Sequence, residues 1–291
     1  MQTFNVHQLM ITNVIIQSSS LDDGIIAVFV TALLFLIVYF SFRMFELAYV
    51  MRKKRPLYNH LYLKLRKLNS NEQSILRNRF KFYKKLNEKQ KLHFEHRVAS
   101  FIIDKTFIGR EGQQITDDIK VLVSATAVML TFGFRDFYIG LMDKIFVYPD
   151  EFYSNMNDAY HKGEFNPRLN ALVISWKHFE QGFNISNDNL NLGIHEFAHA
   201  IHLNSMKERD VSSTIFKDSF KELTDYLSEN KSLRDELIAS EYFRDYAFTN
   251  QFEFLAVVIE SFIETPTEFK NQFPKIYSYT KQMLNFNFAG Y

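Results

Sequence analysis

The chain has 291 residues, 47% of them hydrophobic and none of them cysteine. This composition excludes a disordered chain, a disulfide-stapled fold and thiolate metal ligands, so any bound metal must be held by His, Asp or Glu. The formal net charge of +1 conceals a polarity: residues 1–42 lack Lys and Arg, residues 43–110 carry 18 basic against 5 acidic side chains, and residues 111–291 carry 16 against 26.

After a short N-terminal stretch, residues 1–23, the segment Gly24 to Phe42 runs for nineteen residues without a charge. That is the length a helix needs to cross the hydrocarbon core of a bilayer. Asp22 and Asp23 precede it, whereas a signal peptide begins with positive charge and has a shorter apolar run. A buried core helix is the competing reading, and the absence of amphipathicity argues against it. Arg52, Lys53, Lys54 and Arg55 follow, so the positive-inside rule orients the span with residues 1–23 outside and everything beyond it in the cytoplasm. The expected location is therefore the cell (inner) membrane, crossed once. Juxtamembrane charge of this kind is attracted to anionic lipid, and no nucleic-acid-binding motif accompanies it, so no nucleic-acid partner is expected.

Within the basic juxtamembrane region 43–110, residues 56–110 alternate apolar and basic side chains at helical spacing, with Ser70 to Gln73 resembling a capping box and Asn87-Glu88 a second helix start. Two amphipathic helices are expected there. Arg110 to Gln113 makes a break, and Thr116 with Asp117 and Asp118 starts a core helix whose apolar run is Val121 to Leu130. Ile145 to Tyr148 and Ala171 to Trp176 read as short strands, with His161 to Pro167 as loop between them and Ser186 to Asn189 as a helix start. Residues 215–288 alternate helical patterns with polar breaks. The fold class is α+β, mostly helical with a small sheet, and residues 111–291 form the expected functional domain.

His195-Glu196-Phe197-Ala198-His199 is an HExxH sequence. On a helix, positions four apart share a face, so two imidazoles can converge on one Zn²⁺ while Glu196, offset by roughly 100°, serves as general base for an activated water. The competing reading is a core helix with satisfied histidines, which would need several buried partners. A hydrolytic zinc site needs a third protein ligand. His202 is the local candidate, but it continues the same face of one helix and fits a supporting or lining role better. Glu253 and Glu260 are the only charges between Tyr246 and Ile263, lie seven apart on one face, and are stronger candidates, against the alternative that both point to water.

The segment Leu192 to His199 resembles the HEFAH helix of the zinc-dependent peptidase family of Mlc titration factor A, a gluzincin-like set. Gly112 to Ile119, Val147 to Pro149, Gly163 to Pro167, Val173 to Trp176, Arg244 to Tyr246, Glu253 to Val257 and Phe273-Pro274 extend the resemblance in order over residues 60–285. It implies a zincin-like domain with His195, His199 and Glu253 as zinc ligands. It further implies Glu196 as base and Tyr246 as hydroxyl donor to the oxyanion of the intermediate. A peptide or protein substrate, with aminopeptidase-type activity, is implied as well. In one relative it includes binding to a transcriptional repressor, so a membrane-tethered regulatory protein with such a partner is the alternative function. The chain departs from the family at His202, where an Asp is usual, and in its membrane span.

Overall fold

The computed structural model describes residues 3–154, 158–185 and 188–291. It divides into two units, Met1–Arg52 and Lys53–Tyr291.

The first unit is the helix α1, Thr3–Lys53. Its part from Asp23 to Lys53 is long and apolar enough to cross a membrane, with a mean hydropathy of 2.8 over its most apolar 18 residues. The helix reaches beyond the expected limits, residues 24 and 42, on both sides. The chain holds no proline before Pro56 and only Gly24 within the helix, so nothing breaks it. Lys54 then adopts a left-handed φ of 49°, a conformation common just past a helix end.

In the second unit, residues 54–69 run irregularly to α2, Ser70–Arg79, and the short α3, Lys81–Lys84, before α4, Glu88–Asp104. The first capping box is set one residue earlier than expected, on Asn69 and Glu72; the second is on Asn87 with Gln90. Buried Arg97 of α4 ties the irregular stretch to the core. Its guanidinium donates to the carbonyls of Thr131 (2.8 Å), Phe132 (3.2 Å), Phe134 (2.7 Å) and Asn59 (3.0 Å), and to the Tyr62 hydroxyl (2.6 Å).

Strand β1, Thr106–Gly109, comes next, then α5, Asp117–Leu130, capped by Thr116 and buried from Val121 to Leu130. Strands β2 (Lys144–Tyr148), β3 (Phe152–Ser154), β4 (Ala159–His161), β5 (Gly163–Asn166) and β6 (Ala171–Ser175) follow. The main sheet has the order β1-β2-β6-β5, parallel except for β5, which pairs antiparallel with β6. β3 and β4 make a separate hairpin. β1 and β5 were not anticipated: the first lies in a stretch read as helical, and the second in one read as loop. Their pairing with distant partners overrides weak local preference. Residues 53–110, set apart in the sequence as a basic helical region, thus contribute an edge strand and three helices to the same unit as residues 111–291.

Trp176 starts a helix instead of ending a strand: α6 spans Trp176–Asn184. Then come α7, Leu192–Lys207, α8, Val211–Glu229, and α9, Lys231–Ala239. A 3₁₀ turn, Asp245–Phe248, leads to α10, Gln251–Glu264, α11, Pro266–Gln272, and α12, Pro274–Met283. The helix start expected at Ser186 to Asn189 lies partly outside the described residues, and the observed cap of α7 is Asn191. α7 is central, packed against α5, α6, α8, α10 and the strands β5 and β6.

Candidate metal centre

Two helix starts meet at the site. Asn191 caps α7 by accepting from the Ile194 N–H at 3.1 Å. Asn250 caps α10 by accepting from the N–H groups of Phe252 (2.9 Å) and Glu253 (3.0 Å), which sets Glu253 in the first turn. His195 and His199, one turn apart on α7, stand with ring centroids 4.7 Å apart and planes nearly perpendicular.

The structure brings together His195, His199 and Glu253, a group that could hold a metal ion. The two Nε2 atoms are 3.1 Å apart, and Glu253 Oε2 lies 3.0 Å from that of His195 and 3.5 Å from that of His199. Atoms bound at about 2 Å to one tetrahedral ion stand about 3.3 Å from each other, and the observed separations bracket that value. Although close to both rings, Glu253 Oε2 has no hydrogen-bond partner of good geometry. Buried lone-pair atoms converging in this way fit a shared cation.

Behind His195 lies Glu260, fully buried on the same face of α10 two turns after Glu253. Its Oε1 accepts from His195 Nδ1 at 2.6 Å, which leaves Nε2 as the lone-pair nitrogen aimed at Glu253 and His199. Glu260 also accepts from Arg244 Nη2 (2.8 Å), Arg244 Nη1 (3.1 Å) and the Asn191 N–H (3.0 Å). Arg244 is itself held by the Asn189 carbonyl. Burial lowers the His195 imidazole, but the Glu253 and Glu260 carboxylates on either side of it outweigh that and raise the ring to about 9, so a cation held at Nε2 would displace a proton there. Burial likewise opposes ionisation of Glu253, yet the two imidazoles hold it well below the usual carboxylate range.

Glu196 is buried beside this group, and burial raises its carboxyl while the imidazoles of His195 and His199 oppose the rise. Gly163 of β5 makes room for it: a Cβ there would lie 2.7 Å from both Glu196 Cγ and Oε1. Tyr246, half-exposed, faces His195 with ring centroids 6.0 Å apart. Burial and then the Glu253 carboxylate raise its phenol to about 12. Glu196, His195, Tyr246, Arg244 and Gly163 line an open cleft of about 460 Å³.

The model of the glucose-regulated metallopeptidase family M90 matches residues 50–284. The chain belongs to this metallopeptidase family. A protein of Synechocystis sp., described only as uncharacterized, is 26% identical over 227 residues, covering 70% of this chain and 80% of that protein. The family match accords with the resemblance read from the sequence, and it leaves most of α1 outside. In this member of the M90 family, the third histidine of α7 departs from its expected role. His202 stands outside the ligand group and does not line the cleft with Glu196. Its ring is surrounded edge-on by Phe216, Phe220 and Phe252 at centroid distances of 6.2, 4.9 and 4.9 Å. Seven residues past His195, it has moved along the helix away from the ion position and into aromatic packing. Glu260, by contrast, takes the supporting role that the sequence left open.

Proposed function

We propose that this chain is a zinc-dependent peptidase anchored to a membrane by α1, with the unit Lys53–Tyr291 on the cytoplasmic side. The observation that carries the reading is the convergence of His195, His199 and Glu253, with Glu196 buried next to them. Two imidazoles and one carboxylate favour zinc over magnesium or calcium, which take oxygen ligands. Bound zinc supplies Lewis-acid polarisation and lowers the pKa of a water to about 7.

The chain's own residues do the rest. Glu196, raised by burial, accepts a proton on its carboxylate and returns it to the leaving amine nitrogen. Tyr246, its phenol raised to about 12, keeps its proton at neutral pH and donates the O–H to the carbonyl oxygen under attack. Glu260 and Arg244 hold His195 in the tautomer that presents Nε2. β5 is the edge of its sheet, and an extended peptide can pair with its outward backbone groups beside the Phe165 N–H that Glu196 engages. An HExxH helix packed beside such an edge supports a zincin-like domain within the unit Lys53–Tyr291, to which residues 53–110 contribute β1 and three helices.

The orientation rests on charge: Arg52 to Arg55 follow the span and no Lys or Arg precedes Arg43. Peptide hydrolysis by the purified, zinc-loaded full chain tests the function. Glu196→Gln is expected to lower kcat/KM by about 10²- to 10⁴-fold with zinc content unchanged. Equal turnover in the variant would contradict the reading.

A further inference from the structure

Along α7, His195, His199, His202 and Met206 fall at i, i+4, i+7 and i+11, so they form one stripe within about 60° of each other on the helix. The stripe begins at the metal group and ends in a hollow of about 450 Å³ lined by His202, Met206, Phe220 and Phe252. Phe252 also precedes Glu253, so both helices that supply metal-group residues carry directly on into this hollow. It shares no lining residue with the cleft of Glu196, Arg244 and Tyr246.

The hollow is built from apolar surface that nothing among the described residues covers. Met206 is 58% exposed and Phe252 45% exposed, although each is a large hydrophobic side chain. His202 is the reverse, a polar ring only 6% exposed whose Nδ1 has no hydrogen-bond partner. Burial lowers its imidazole to about 4, so the ring is neutral and has one N–H to offer. Lys217, Asp218, Lys221, Thr224 and Gln251 also line the hollow, with Asp218 engaged by Lys54 and Lys221 paired with Asp225, around the aromatic rings of His202, Phe220 and Phe252.

We propose that this hollow is a substrate subsite that takes a large aromatic side chain, phenylalanine or tyrosine, of the peptide being cleaved. The inference rests on the peptidase reading above and deepens it by naming a substrate class. Successive residues of an extended peptide advance about 3.3 Å, and one helical turn is about 5.4 Å. A side chain one or two residues from the scissile bond therefore reaches the turn that carries His202. There its ring packs edge-to-face against Phe220 and Phe252, as aromatic pairs prefer.

The test is a peptide-library cleavage profile of the zinc-loaded full chain in detergent micelles, read by mass spectrometry, with Met206→Trp as the variant that fills the hollow. Phe and Tyr are expected to be enriched at one position within two residues of the cut. In the variant, the kcat/KM ratio of an aromatic over an alanine peptide at that position is expected to fall by about tenfold or more. Efficient cleavage without aromatic enrichment, or an unchanged ratio in the variant, overturns the subsite and leaves the peptidase reading intact. No cleavage of any peptide by the zinc-loaded wild type overturns the peptidase reading and the subsite with it.

Discussion

The Glu260 carboxylate accepts from His195 Nδ1 at 2.6 Å while His195 Nε2 faces Glu253 on the other side of the ring. One buried acid thereby fixes both the tautomer and the plane of a metal-group imidazole. Substituting it removes that support without touching a donor atom. Glu260→Gln, which keeps one acceptor oxygen, is expected to weaken zinc binding, and Glu260→Ala to weaken it more, by about 10- to 100-fold. Competition with a chromogenic chelator measures both, and unchanged affinity in the Ala variant would show that His195 needs no such partner.

Gly163 permits the close approach of β5 to α7. A Cβ there would also lie 2.7 Å from Leu192 Cδ1, so the strand cannot shift toward that side to spare Glu196. Gly163→Ala is expected to displace the Glu196 carboxylate and lower kcat by about 10²-fold with zinc stoichiometry intact. Steady-state kinetics alongside metal analysis separates this from loss of the ion.

Stability depends on Arg97 far from the cleft. Its guanidinium donates to the carbonyls of Asn59, Phe132 and Phe134, which have no other donor among the described residues, and adds a second donor to Thr131, which also accepts from the Phe134 N–H at 2.9 Å. Arg97→Met keeps the apolar stem but strands the acceptors that have no other donor, and the expected loss is at least about 3 kcal/mol. Urea unfolding of the full chain in micelles is the measurement, and a midpoint equal to wild type would contradict the role.

Glu264 gives stability a pH dependence. Its carboxylate accepts from Asn191 Nδ2 at 3.0 Å and from the Asn189 N–H at 2.9 Å, yet burial raises its carboxyl to about 7. Because the folded-state value lies above the model value of 4.5, the folded protein holds this proton more tightly than the unfolded chain does. The contribution is therefore full below pH 4.5 and is lost as pH rises through about 7. With solvent screening of a partly exposed group, about 1 kcal/mol is expected to disappear over that window. Thermal unfolding of Glu264→Gln at several pH values should show a flatter decline than wild type; parallel curves would contradict the assignment.

Much of the site could be read in the sequence because helical spacing fixes which side chains share a face. His195 and His199 needed only their separation of four; isolation in an apolar helix marked Glu253 and Glu260 alike, and the family resemblance singled out Glu253. What escaped was set by packing between distant segments. Arg244 acquires its role when the turn before α10 folds back on Glu260, and nothing in its own neighbourhood announces that contact. β5 contains Gly163 and Asn166, poor strand formers, and exists because β6 pairs with it. The first helix cap moved by one residue, to Asn69 with Glu72, although Ser70 with Gln73 offers the same pattern one position later.

Zinc stoichiometry of the purified chain, compared among wild type, Glu196→Gln and Glu253→Ala, bears most directly on the proposed centre. About one ion per chain is expected in wild type and in Glu196→Gln, with clear loss of affinity in Glu253→Ala, since only the last removes one of the three converging donors. Wild type that binds no zinc, or Glu253→Ala that binds it as tightly as wild type, would contradict a metal centre built from His195, His199 and Glu253.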